Sequence, residues 1–399
     1  MVDLYTIVQI ISWVAIGLIM YLVLATVGFD FGAGMLARFV GKTDQERRAI
    51  INVVAPTWDG NQVWLITAGA GIFAIWPRAY AASFSGLYLG MLAVLFGLFL
   101  RPVAFEFRSK IKSAKWRSFW DWMLVIGSFI PMLIIGVAVG NLFLGLPFQF
   151  QPGSLRFAYG QGAQIAPEAA GFSLIMLLKP YALVTGLFAV VIAIMQGASY
   201  CAIRTDGILR KRFNRIKILS SMLFILLFAI LGLWLFVIVG YMWQPSSILS
   251  SYSDAIYHPL NGQIVTRSVG AWFHNYISYP WMAIAPIIAF IGGFGVMIMT
   301  KKNKEIASFI FSLLACLGVI FTFGFTLFPF LMPSSIAASE SLTLFNASSS
   351  MVSLIGILVV AVIMLPIIFI YTTFVYKKMW QRGDFMNADQ VNARDHELY

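Results

Sequence analysis

Long apolar runs alternate with short polar connectors along the whole chain. Nine runs stand out, at about 7–27, 57–76, 80–100, 122–144, 172–200, 218–242, 279–300, 306–331 and 352–376. Each is near the ~20 residues that a helix needs to cross ~30 Å of hydrocarbon, and their length suits helices rather than the ~10-residue alternating strands of a barrel. The pattern predicts an all-α integral membrane protein with nine transmembrane helices in a single transmembrane domain over 1–399. Two four-helix bundles plus one peripheral helix would accommodate that number. Such an arrangement would suit an internal repeat, but no self-similarity along the chain supports one.

Composition agrees with the pattern. Of 399 residues, 60% are hydrophobic and 11% charged, against ~25% charged in a soluble domain. The chain has too little charge to cover a water-exposed surface.

The formal net charge of +11 does not point to nucleic acid, because the basic residues sit in short clusters between apolar runs. Every second connection and the tail carry 23 of the 27 basic residues, from Arg38, Lys42, Arg47 and Arg48 onward to Lys377, Lys378, Arg382 and Arg394. The other side keeps Arg78, Arg156, Lys179 and Arg267. The positive-inside rule then places the N-terminus outside and the C-terminus in the cytoplasm. The first basic residue, Arg38, follows the first run, so that run reads as an uncleaved span. The outer connections at about 145–171, 243–278 and 332–351 are longer and poor in basic residues.

Four acidic residues near span ends attract attention: Asp30, Asp59, Glu106 and Asp121. A carboxylate at mid-membrane costs about 2.5–3.5 kcal/mol, and less near the interface, so structure or function must hold it there. Asp30 sits in "GFDFGAGML", which reads either as a packing turn capped by the carboxylate or as a polar lining of an internal water path. Asp59, in "APTWDGNQVWLI", reads either as an N-cap or as one of two polar groups, with Gln62, on the same helix face. On the second reading the pair could hold a water and pass a proton, with Trp58 and Trp64 sealing or anchoring the site. Glu106 and Lys110 stand at i,i+4, the spacing of a surface ion pair. Arg101 ends an apolar run before Pro102 and is a candidate for a structural ion pair with a carboxylate on a neighbouring span.

Other chemistry has few candidates. His258, His274 and His396 all lie outside the apolar spans, whereas haem in a helical bundle wants axial ligands from the spans. Cys201 and Cys316 are far apart and read as buried, inert thiols. No phosphate-binding loop, dinucleotide fingerprint or nucleophile elbow is present.

The stretches "GFDFGAGML" (28–36), "APTWDGNQVWLITAG" (55–69), "FRPVAFEFRSK" and "WRSFWDW" (116–122), followed by "GSFIPMLIIGVAVGN" (127–141), "MQGASY" (195–200), "FPFLMPSS" (328–335) and "LTLFNASSS" (342–350), occur in that order across the chain. Together they resemble subunit II of cytochrome bd-type quinol oxidases. The resemblance implies a non-haem subunit, with no cofactor bound by this chain alone. Its partner, subunit I, would carry haem b and haem d, oxidise quinol on the outer side and reduce oxygen to water with protons from the cytoplasm. A structural quinone and small accessory subunits are further implied possibilities. The location would be the bacterial cytoplasmic (inner) membrane.

Matched to the family motifs, Asp59 falls on the acid of WDGN, Asp30 on the acid of GFD, Glu106 on the acid of the RPV motif and Arg101 on its arginine. The proton-path candidates are therefore Asp59, Gln62, Asp30, Glu106 and Lys110. Two positions depart from the common pattern: Val27 replaces an acid, and Gln62 stands where many members have Glu. A route that relied on an acid at position 27 is in question, and position 62 can relay through water but cannot titrate. Two rival expectations are a proton-coupled secondary transporter and a purely structural membrane partner. The transporter would want its polar groups near mid-depth, and here they cluster toward span ends.

Overall fold

The computed structural model describes residues 4–150, 157–158, 177–244 and 263–380, together with Met386. His258, His396, Arg156, Arg382 and Arg394 lie outside the described residues, as do the first residues of the span expected at 172–200 and much of two outer connections.

The first apolar run and the motif after it form one long helical segment, Leu4–Val40. It consists of α1 (Leu4–Leu22), a π-helical turn (Val23–Val27) and α2 (Gly28–Val40). The turn expected at "GFDFGAGML" is therefore helix, and the span does not stop near residue 27. The glycines there serve packing. A Cβ on Gly32 would lie 1.8 Å from the carbonyl oxygen of Ala193, and one on Gly197 would lie 2.4 Å from the amide nitrogen of Ala33. Without a hydrophobic drive between helices in lipid, close backbone approach at small residues supplies the dispersion contact that holds two spans together.

The chain then forms α3 (Asp44–Val54), α4 (Trp58–Ile75), α5 (Pro77–Gly86), α6 (Tyr88–Phe107) and α7 (Ala114–Leu144). After the outer connection come α8 (Pro180–Arg204), α9 (Gly207–Trp234), α10 (Ile284–Lys301), α11 (Glu305–Leu327) and α12 (Met351–Trp380). The protein is an all-α integral membrane protein. Eight helical segments among the described residues are long and apolar enough to cross a membrane. The span expected at 57–76 coincides with α4, whose polar first turn lowers its hydropathy and leaves it outside those eight.

α8 is the most enclosed of these segments and packs against α2, α7, α9 and α11. By contrast α12 packs chiefly against α1 and α4 and is the least buried of these segments, so it is the peripheral helix. At the end of the bundle away from the basic connections, short antiparallel hairpins join Val239–Gln244 to Ile264–Val269 and Phe330–Met332 to Leu342–Thr343. Ser349 fastens the last of these loops, donating its N–H to Ile75 O at 2.8 Å and accepting the Tyr5 hydroxyl on its own carbonyl at 2.8 Å.

Candidate functional site

α3 begins with a capping box. Thr43 Oγ1 accepts the Glu46 N–H at 3.2 Å, and the Glu46 carboxylate accepts the Lys42 and Thr43 N–H groups. This satisfies orphan donors of the helix start. It also fixes the carboxylates of α3 beside the basic ends of the neighbouring helices. Arg108 Nε lies 2.6 Å from Asp121 Oδ1, and its Nη2 lies 2.7 Å from Asp44 Oδ1. Arg47 completes Asp121 at 3.1 Å, Arg117 completes Asp44 at 2.6 Å, and Arg212 reaches Glu46 at 2.8 Å. Burial alone would raise the Asp44 carboxyl, but the Arg108 and Arg117 guanidiniums outweigh it and hold it below the usual carboxylate range. Burial would likewise raise Glu46, and Arg212 with the Lys42 and Thr43 N–H groups brings it below that range. Of this network the sequence reading singled out Asp121 alone. The "TDQE" capping signature at 43–46 was the available signal for the rest.

A second polar group is centred on α2. Asp30 of α2 is fully buried. Its Oδ2 accepts Asn61 Nδ2 of α4 at 2.7 Å. Asn61 Oδ1 accepts in turn the Tyr376 hydroxyl of α12 at 2.9 Å. Asp30 Oδ1 has no hydrogen-bond partner among the described residues. The π-helical turn immediately before α2 inserts extra backbone into the helix, so it sets the angular position of Asp30 relative to α4. Trp58 stacks on Phe105 at 5.1 Å between ring centroids.

Arg101 of α6 is fully buried in the same region. Its guanidinium carbon lies 3.8 Å from the Phe31 ring centroid and 5.9 Å from that of Phe105. Among the described residues none of its three nitrogens has a hydrogen-bond partner, and it makes no direct ion pair. Asp30 is the carboxylate within Coulombic range.

The other expected residues are placed differently. Asp59 is not the N-cap of α4: that position belongs to Thr57, and Asp59 is exposed on the first turn with no partner among the described residues. Gln62 does not bond Asp59, and its Nε2 is buried without a partner. Glu106 and Lys110 are both exposed and form no ion pair among the described residues. Val27, at the departing position, is buried beside Phe31, Met35 and Met132, so that position is apolar. Asn61 and Tyr376 were missed as site residues. Asn61 lay inside the motif already singled out, whereas nothing local marks Tyr376. Cys201 and Cys316 are both buried and free, and Gln196 Nε2 lies 2.7 Å from Cys316 Sγ. Among the described residues no group of three or more His, Cys, Asp or Glu is placed to hold a metal.

A model of the family "Cytochrome bd terminal oxidase subunit II" matches residues 8–379. The chain is 40% identical over 400 residues, covering all of both chains, to cytochrome bd-I ubiquinol oxidase subunit 2 of Escherichia coli K12. It is 37% identical over 399 residues, again end to end, to a probable cytochrome oxidase subunit 2 of Haemophilus influenzae. It is 31% identical over 355 residues to cytochrome bd ubiquinol oxidase subunit 2 of Bacillus subtilis, covering 88% of this chain and 90% of that one. A solved bd oxidase from Geobacillus thermodenitrificans shares the fold, with TM-score 0.61 over 94% of this chain and 98% of that chain at 14% identity. The protein is thus a multi-pass bacterial inner-membrane protein, and it belongs to the cytochrome bd terminal oxidase subunit II family as a subunit of an oxidoreductase complex.

Proposed function

We propose that this chain is the non-haem half of a quinol:oxygen oxidoreductase and conducts protons from the cytoplasm toward the oxygen-reduction site of a haem-bearing subunit I. The buried Asp30 carboxylate carries this reading. It is held by Asn61 through one oxygen, and its other oxygen has no partner among the described residues. A purely structural carboxylate would gain by satisfying both oxygens. Family membership weighs against an independent transporter.

The route has a direction on this reading. Glu106 and Lys110 stand exposed near the end of α6 that carries the ion-pair network, and mark a mouth. Asp30 lies about 15 Å along α2 from its end at Val40. Asp59 and Gln62 sit on the first turns of α4, whose outward face also shows Val63 and Ile66. An exposed carboxylate on an apolar helix is unfavourable in lipid. The face of α4 bearing Asp59, with the uncovered side of α12, is therefore where subunit I docks. Asp59 would then hand protons across that interface. The N-terminus lies outside and the C-terminus in the cytoplasm. The haems b and d belong to subunit I and supply the redox chemistry. A structural quinone and small accessory subunits go with the same reading.

The deciding experiment replaces Asp30 by Asn in the assembled complex. Expected are slower oxygen consumption and slower proton uptake with normal haem bands. Wild-type proton uptake with full haem content would reject the path, and loss of the haem bands would make Asp30 a structural residue.

A further inference from the structure

Three side chains on neighbouring helices leave buried polar atoms without a partner among the described residues: Asp30 Oδ1, Arg101 Nε, Nη1 and Nη2, and Ser128 Oγ. Arg101 is the most demanding. Its contact with the Phe31 face is favourable, but it satisfies none of the five N–H donors of the guanidinium. A buried charged donor without an acceptor costs more than the ~1–3 kcal/mol of a neutral one.

The acceptors it lacks are close by. Asp30 immediately precedes Phe31, the ring on which the guanidinium rests. Gly127 of α7 comes so close that a Cβ there would lie 3.1 Å from Arg101 Cγ. The next residue, Ser128, turns its hydroxyl against Gly34, one helical turn along α2 from Asp30. Arg101, Asp30 and Ser128 thus converge from α6, α2 and α7. Tyr200 and Cys201 of α8 and Tyr376 of α12 also face the carboxylate, but none of them brings a cation. Asp30 is therefore the counter-charge of Arg101. A second anion there would be repelled by the carboxylate, whereas water can bond both groups at once. Buried waters occur where two to four polar partners meet, and this region supplies them.

We infer that Arg101 and the free oxygen of Asp30 share an internal water site, making a water-bridged ion pair in which Arg101 is a positioning residue for that oxygen. The inference deepens the proposed proton path by naming what lies on its unblocked side. Asn61 cannot be that side. A neutral amide releases and accepts protons poorly, so the Tyr376–Asn61–Asp30 chain orients the carboxylate while the water side exchanges the proton.

Radiolytic hydroxyl-radical footprinting of the purified complex tests the water directly, because bound water activated in place oxidises neighbouring side chains whatever their exposure to bulk. Phe31 and Phe105 are each 1% exposed, and Phe213 and Phe224 are 0% exposed. Phe31 and Phe105 should be oxidised several-fold more than Phe213 and Phe224, and Arg101→Leu should lower the labelling of Phe31. Equal protection of all four rings in the wild-type complex overturns the water site. That comparison needs no variant to assemble.

The positioning role has its own readout. Arg101→Gln should keep haem content and quinol KM while turnover falls several-fold and the solvent isotope effect rises, and Arg101→Lys should restore most of the rate. Unchanged turnover and isotope effect in Arg101→Gln overturn the positioning role. Strong labelling of Phe31 combined with normal proton uptake in Asp30→Asn would keep the water site and end the proton-path reading.

Discussion

Asn61 donates to Asp30 at 2.7 Å from a helix that begins only three residues earlier, and it accepts from Tyr376 on the peripheral helix. Both functions of one amide are used, so it ties three helices together and sets the plane of the carboxylate. A hydrogen bond to a charged group contributes about 1.5–3 kcal/mol. If that orientation matters to turnover, Asn61→Leu should slow oxygen consumption about tenfold or more, since 1.4 kcal/mol is a factor of ten in rate. Tyr376→Phe, which removes only the outer bond, should have a smaller effect. Oxygen uptake normalised to haem content checks both. Equal rates in all three proteins would show that the clamp has no role in turnover.

Asp59 differs because no group among the described residues holds it. Asp59→Asn should leave the thermal stability of the subunit within about 0.5 kcal/mol, as for surface substitutions generally. In the assembled complex it should slow proton uptake. A large loss of stability in the isolated subunit would point to a structural contact that the present geometry does not contain.

Glu106 and Lys110 make the mouth testable in the same way. Without an ion pair to lose, Glu106→Gln should assemble normally and turn over more slowly, whereas Lys110→Ala should do neither harm. Turnover of Glu106→Gln equal to wild type at every pH would remove it from the path.

The ion-pair network at the basic end predicts both an energetic and a pH effect. Asp121 is 3% exposed and is held by Arg108 and Arg47. Arg108→Ala strips away one of these partners, and breaking a buried pair costs about 3–5 kcal/mol. The pH effect follows from Asp44 and Glu46, whose carboxyls are held below their usual values in the folded chain. Their contribution is full above the unfolded carboxylate pKa of about 4 and is lost as pH falls through the lower folded values. Thermal unfolding in detergent should therefore show stability flat from neutral to mildly acidic pH and falling below about pH 4. In Asp44→Asn that acid-side fall should be shallower. An identical slope in the variant would show that Asp44 is not among the groups responsible.

Gly32→Val tests the crossing of α2 and α8. Its Cβ would overlap the Ala193 carbonyl, which is backbone and cannot swing away. The expected outcome is loss of assembled, haem-containing complex, seen as missing visible bands in purified membranes.

Much of this protein follows from local runs of residues. Twenty apolar residues must cross a bilayer as helix wherever the chain leads next, so the spans, the basic side and the membrane class are legible without a structure. The acids that matter are legible too, because a carboxylate beside an apolar run must be explained. Their partners are not. Asp30 read either as the cap of a packing turn or as the lining of a water path; the close approach expected of its glycines brings α2 against α8, but the helix continues through them without a turn. Tyr376 stands 315 residues from Asn61, and no local pattern records which ring of the last helix meets which amide of the fourth. Arg101 looked ready for a direct ion pair, but the packing of α6 against α2 put an aromatic face under its guanidinium and left the carboxylate beyond direct reach. Helix formation depends on neighbours in sequence and therefore reads from sequence. The chemistry of a buried polar site depends on which helix faces meet, and only the packed bundle decides that.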